Sequence, residues 1–164
     1  MIKGLKPEVD EKSYTLILGT IPSKKSIELK EYYANPRNQF WRIIDNIFGI
    51  DSKLPYSRRI EKLLVKGIAL WDVLESCERS SSLDKDIKQP VVNDLEAFLT
   101  KHESIKRIVF NGRNPRKYAE GLLPIFLSKA LAFSIILPSS SSANTRYSLN
   151  EKIQIWKTPL QASL

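Results

Sequence analysis

Four short polar constellations hold the residues able to do chemistry, and each follows an apolar run. The first is Gly19-Thr20-Ile21-Pro22-Ser23. Its glycine lets backbone approach a ligand closely, and Pro22 stiffens the turn. Next comes Tyr32-Tyr33-Ala34-Asn35-Pro36-Arg37-Asn38-Gln39-Phe40-Trp41. Asn38 could hold and polarise a water through its amide oxygen, although an amide is a poor base. Phe40 and Trp41 beside it would fix its direction by packing. Phe110-Asn111-Gly112 supplies an amide with both a donor and an acceptor, suited to the edge of a nucleobase, though Asn-Gly is equally a turn pair. Pro138 to Arg146 is rich in serine. Its hydroxyls and backbone amides, placed before a helix, suit phosphate contacts; the same composition suits a flexible loop. Asp72 and Asp84 are candidate acids, or else caps and ion-pair partners.

Other chemistries are excluded by shortage. Cys77 is the only cysteine and His102 the only histidine. No intrachain disulfide and no Cys/His zinc site can be assembled, and a Ser-His-Asp or Cys-His centre would need His102. No Gly-rich dinucleotide fingerprint appears, so no cofactor and no metal are expected. The apolar runs, such as Ala130 to Phe133, fall far short of the ~18 residues a membrane span needs, and the N-terminal residues carry no apolar signal core. The expectation is a cytoplasmic protein in a reducing compartment, nucleoid-associated in a prokaryote, with no membrane partner. The formal net charge is +8. It is concentrated in residues 101–164, which hold ten basic and three acidic side chains. A basic half suggests a polyanionic partner, most simply nucleic acid, or a solvated surface kept for solubility.

These segments need elements to position them. Thr15–Leu18, Ile68–Trp71, Ile108–Phe110 and Phe133–Leu137 are continuous apolar runs without alternation. Such runs suit parallel strands covered on both faces. Helical periodicity appears over Pro36–Gly49, Ser57–Lys66, Asn93–Lys101, Pro115–Leu123 and Thr145–Trp156, the last after a possible Asn144 cap. At 164 residues, with neither repeat nor linker, the chain reads as one domain spanning 1–164. Its fold class is α/β: a three-layer α/β/α sandwich with a central four-stranded parallel sheet. In such sheets function gathers at the carboxyl ends of the strands, where the four constellations lie.

Taken in order, these pieces resemble the uracil-DNA glycosylase superfamily, nearest its hypoxanthine (deoxyinosine) branch. The similarity runs roughly from Tyr14 to Trp156, and YYANPRNQFWRII is its most specific stretch. GIALWDVLESCERSSSLDKDIK, RIVFNG and LPSSSSAN add to it. The resemblance implies a monofunctional glycosylase, working as a monomer, that flips a deaminated base out of DNA and hydrolyses its N-glycosidic bond. It assigns Gly19, Thr20, Ile21 and Pro22 to the base pocket and Tyr33 to its wall. Asn38 would hold the attacking water, Phe40 would stack near the base unless it belongs to the core, and Asn111 would read the base edge. Ser23, Ser139, Ser140, Ser141, Ser142, Asn144 and Arg146 would meet the DNA. Two positions depart from the superfamily pattern. Thr20 and Ile21 stand where many members place a water-activating Asp or Asn, and the region of Leu137 lacks the usual histidine, which shifts weight onto Asn38. Two rivals differ in outcome. An inactive relative would bind DNA but release no base; a small nucleotide-binding α/β protein would bind free mononucleotide and little duplex.

Overall fold

The computed structural model describes residues 1–122, 124 and 134–162. Its central sheet is built from β2 (Thr15–Gly19), β3 (Ile68–Asp72), β6 (Arg107–Asn111) and β7 (Ser134–Leu137). They are all parallel, in the order β3-β2-β6-β7. Leu16, Ile17 and Leu18 of β2 have no solvent exposure. Neighbours along a strand point to opposite faces, so both faces are covered. The four expected strands are therefore present, with β2, β3 and β6 one residue longer at the carboxyl end and β6 also one longer at its start; Phe133 lies outside the described residues.

The helices are α1 (Lys24–Leu29), α2 (Phe40–Phe48), α3 (Tyr56–Val65), α4 (Leu95–Lys101), α5 (Arg113–Leu122) and α6 (Leu149–Gln161). α3 packs on β3, α5 on β6 and β7, and α6 on β7 and α2. The expected starts at Ser57, Asn93 and Pro115 shift by one or two residues, and two others lie four residues later than expected. α2 begins at Phe40 rather than Pro36, so Asn38 lies in the turn before the helix. α6 begins at Leu149 under a Ser148–Glu151 capping box, which satisfies two orphan donors reciprocally; Asn144 is not its cap. Leu123, the expected end of the fifth helix, lies outside the described residues.

A second sheet was not foreseen. β1 (Ile2–Lys3), β4 (Leu74–Glu78) and β5 (Lys88–Val92) pair antiparallel in the order β1-β4-β5. β5 is mostly exposed and contains Pro90, consistent with an edge strand. β4 follows β3 after one residue, Val73, and so carries the chain from the main sheet into the small one.

The order of the main sheet reverses beside β2. The chain runs outward to β3, then returns to place β6 on the other flank. This switch point opens a crevice at the carboxyl ends of β2 and β6. Phe110, one residue before that edge, has no exposure. Phe110→Ala is expected to lower the unfolding free energy by about 3–5 kcal/mol, read as a shift in the urea midpoint at unchanged slope.

Candidate active site

The four strands of the main sheet end side by side. Gly19 pairs with Asp72 on one flank. On the other, Leu18 pairs with Phe110, so Asn111 follows level with Gly19, and Asn111 pairs with Leu137. Three constellations thus meet at one edge, and the fourth is tied to it by hydrogen bonds.

The tie centres on Ser140, which is completely buried. Its N–H donates to Asn111 Oδ1 at 2.8 Å, and its hydroxyl accepts from Asn111 Nδ2 at 2.8 Å. The same hydroxyl donates to Asn38 Oδ1 at 2.9 Å. Asn38 Oδ1 also accepts from the Phe40 N–H at 2.9 Å. Backbone N–H groups can only donate, so both amides are fixed in orientation. Asn38 Oδ1 therefore has both lone pairs engaged. Its Nδ2 has no partner among the described residues and is the group available to a ligand. Asn111, only 8% exposed, is clasped at both ends by Ser140 rather than presented freely. Gly112, at φ 97°, turns the chain after it; a Cβ there would come within 3.0 Å of Ser139 Cβ.

A buried lysine backs the tie. Lys152 of α6 has no solvent exposure and donates to Gln39 Oε1 at 2.8 Å and to the Ser141 carbonyl at 3.1 Å. Gln39 N–H donates to the Ser140 carbonyl at 2.8 Å. α6 thereby holds the turn carrying Asn38 against the serine loop. Burial pulls the Lys152 ammonium below its usual range.

An aromatic cluster flanks this edge. Tyr33 adopts a left-handed backbone, φ 58°, which costs a non-glycine residue of order 1–3 kcal/mol. Its ring stacks on Phe40, with centroids 4.0 Å apart and planes at 20°. Phe40 is fully buried and meets Trp41 and Trp156 edge-on. It therefore supports Tyr33 from the core, and Tyr33 covers the face that stacking on a base would use. The Tyr33 hydroxyl is buried without a hydrogen-bond partner. Burial raises its pKa, and the charge of Asp72 adds to the rise. The nearby Asn111 amide works against that shift, without the alignment of a formed bond.

Of the two candidate acids, Asp72 is the one left without a hydrogen-bond partner, at its Oδ2. It is 4% exposed. Burial pushes its carboxyl up to about 7, Asp84 adds to the rise, and Arg79 opposes it. Asp84, by contrast, is occupied, accepting from Thr20 Oγ1 at 2.8 Å and Asn114 Nδ2 at 3.1 Å. Asp72 and the Tyr33 hydroxyl converge over Gly19. A Cβ there would lie 2.5 Å from Asp72 Oδ1 and 3.2 Å from Tyr33 OH, so only glycine leaves the two groups room.

The remaining expected residues divide. Thr20, Ile21 and Pro22 are buried beside this edge, and Arg79 Nη2 holds the Pro22 carbonyl at 2.6 Å. Ser23 caps α1, accepting from the Ser26 N–H, so its oxygen is engaged within the protein. Ser139 and Ser141 each accept a bond from backbone inside the serine loop, and Asn144 Nδ2 reaches back to the Ser139 carbonyl. Ser142 and Arg146 are exposed; Ser140 is not and belongs to the tie. The basic half is also less exposed than its count suggests. Arg107 is buried, holding the carbonyls of Pro159 and Ala162, and Lys152 is internal. Arg113 and Arg146 are exposed in the segments after β6 and β7, and Arg37 is exposed in the turn before α2.

Gln39, Arg79 and Lys152 were not anticipated. Lys152 had a legible signal, since it lies on the buried stripe of Leu149, Ile153 and Trp156 at helical spacing. Among the described residues no group of three His, Cys, Asp or Glu side chains could hold a metal ion, and no helix is long and apolar enough to cross a membrane.

Comparison with known proteins covers nearly the whole chain. Residues 7–159 match the Uracil DNA glycosylase superfamily. A hypoxanthine DNA glycosylase of Methanosarcina acetivorans is 36% identical over 155 residues, covering 93% of this chain and 94% of the relative. One from Methanosarcina barkeri is 34% identical, with 94% of each covered. A solution NMR structure from Methanosarcina acetivorans, described as a candidate uracil DNA glycosylase, superposes with a TM-score of 0.78 at 31% identity, covering 98% of both chains.

Two outcomes follow from this geometry. Ser140→Ala leaves the Asn111 amide and Asn38 Oδ1 short of partners, and should cost about 1–3 kcal/mol in equilibrium unfolding. Asp72 holds its proton to higher pH in the folded protein than in the unfolded chain. Its contribution is complete below the unfolded carboxylate pKa, about 3.9, and is lost as pH rises through about 7. Asp72→Asn should remove that component, so its Tm relative to the parent should rise between those pH values and level off above them.

Proposed function

We propose that this chain, which belongs to the uracil DNA glycosylase superfamily, is a DNA N-glycosylase that removes hypoxanthine from DNA. The observation that carries the reading is the similarity to two hypoxanthine DNA glycosylases over more than nine-tenths of each chain. The site geometry supports it, with an anchored asparagine, a base-sized aromatic wall and exposed arginines at one sheet edge. Uracil, in the description of the structural neighbour, is the second base to test.

The reaction begins with extrusion of the base, at a cost of a few kcal/mol, least at a mispaired position. Arg37, Arg113, Arg146 and Ser142 meet the phosphates, which positions the strand without reading sequence. The base enters against Gly19 to Pro22 and Tyr33, while Phe40 stiffens the wall from behind. The C1′–N bond then stretches toward an oxocarbenium-like transition state. Water adds its oxygen to C1′ as the bond breaks. The base leaves with the bonding electrons and takes up a proton, and an abasic sugar remains. Asn38 positions that water through its free Nδ2, because its oxygen is held by Ser140 and Phe40. A dissociative transition state needs little push from the nucleophile, so an amide suffices where a carboxylate base is absent. The protein works as one domain, a monomer in the cytoplasm, within base excision repair.

Single-turnover cleavage of duplexes carrying one hypoxanthine, uracil or xanthine, developed with alkali, tests the reading. Hypoxanthine release is expected, and Asn38→Ala should slow it by about 10²-fold or more. Wild-type rates in that variant would remove Asn38 from catalysis. No release of any base, with salt-sensitive duplex binding intact, would indicate an inactive binding relative. Tight binding of free mononucleotide and little of duplex would indicate a nucleotide-binding protein.

A further inference from the structure

We propose that Asp72, as a neutral carboxylic acid, reads the extruded base at its lactam edge, where a ring N–H sits beside a carbonyl. The inference rests on the glycosylase reading and names the group that recognises the substrate. One carboxyl oxygen carries O–H and donates to the base carbonyl; the other accepts from the adjacent ring N–H. An ionised carboxylate could only accept, and would repel the carbonyl oxygen.

Four observations converge on this side chain. Its Oδ2 is buried with no hydrogen-bond partner, and leaving a buried polar group unsatisfied is costly, so it calls for a partner the free protein lacks. The strand register sets it beside Gly19, whose missing side chain lets the carboxyl lie directly over the backbone, 2.5 Å from where a Cβ would stand. The Tyr33 hydroxyl, also buried and unpartnered, lies over the same glycine, on a ring stacked flat on Phe40. A planar ring with a polar edge turned to this corner is the shape an extruded base would bring. Finally, the amide expected to read the base, Asn111, has both ends committed to Ser140.

The surroundings of Asp72 hold its carboxyl up to about 7, so the neutral acid is the major form below neutral pH. Burial opposes its ionisation most, and Asp84, from the short turn Asp84–Asp86, adds to that; Arg79, just beyond β4, favours ionisation and is outweighed. Tyr32 and Tyr33, from the segment after α1, are held protonated by their own burial and by Asp72, so neither competes for its proton. Recognition should therefore fail as Asp72 ionises, before the usual range for a base-catalysed limb.

The test measures single-turnover cleavage of hypoxanthine and 1-methylhypoxanthine duplexes between pH 6 and 8.5. The second base lacks the ring N–H. The parent protein should prefer hypoxanthine by about 10- to 100-fold and slow as pH rises above neutral. Asp72→Ala should lose most of that preference. Asp72→Asn, whose amide cannot ionise, should lose the decline above neutral pH whatever its absolute rate. A merely structural role would move neither the base preference nor the pH limb. An active parent whose preference and pH profile survive in both variants overturns the proposal. A parent that cleaves no base overturns the glycosylase reading instead.

Discussion

The hydroxyl of Ser140 is the constraint on which the site depends. It is one buried group making two side-chain hydrogen bonds, to residues 29 and 102 positions away in the chain. With the Ser140 N–H it locks the end of β6, the turn before α2 and the serine loop into one unit. Each bond alone is worth about 1 kcal/mol net. Their value lies in joint satisfaction, because a buried polar network with one member missing leaves the others unpaired at low dielectric. Lys152 closes the same unit from behind. The parallel sheet brings the three segments to one edge; these bonds fix their separation and the direction of each amide.

Much of the fold was legible because a parallel sheet covered on both faces needs continuous apolar runs. TLIL, IALW and IVF admit no other easy placement, and the sheet order follows ordinary crossover geometry. The small antiparallel sheet left no such mark. β4 buries Leu74, Ser76 and Cys77 but alternates only partly and carries an irregular register with β5, and β5 is largely solvated, so neither spells a clean strand pattern. Helix starts were missed for a related reason. Pro36 fits a first helical turn in isolation, but the Asn38 oxygen takes the Phe40 N–H and begins the helix later. Ser148-Leu149-Asn150-Glu151 spells a capping box that outweighs Asn144.

The site was legible as a set of places and less so as a set of roles. Asn38, Asn111 and the serine loop do come together. What the amino-acid sequence does not express is which lone pair each amide spends internally, since that depends on partners far away in the chain. Asn111 thus looks free in FNG and is committed in the fold. Asp72 looks like one of two equivalent acids and is the one left without a partner. Phe40 has the helical phase of a core residue, and the core is where it lies. Asp72 and Lys152, both buried and ionisable, are poor choices for stability, which separates them from the residues that merely build the sheet.

The position of Lys152 also bears on how a newly made molecule becomes competent. All four parallel strands, Asn38, Asn111 and the serine loop precede α6 in the chain. They can fold as they emerge during synthesis, from the N-terminus onward. The ammonium that clamps Gln39 to the serine loop, and the carbonyls that Arg107 grips, arrive only with that helix. A nascent chain still holding α6 back would carry the sheet and the pocket floor without the clamp. The order of translation therefore keeps the site unassembled until the rest of the fold is in place.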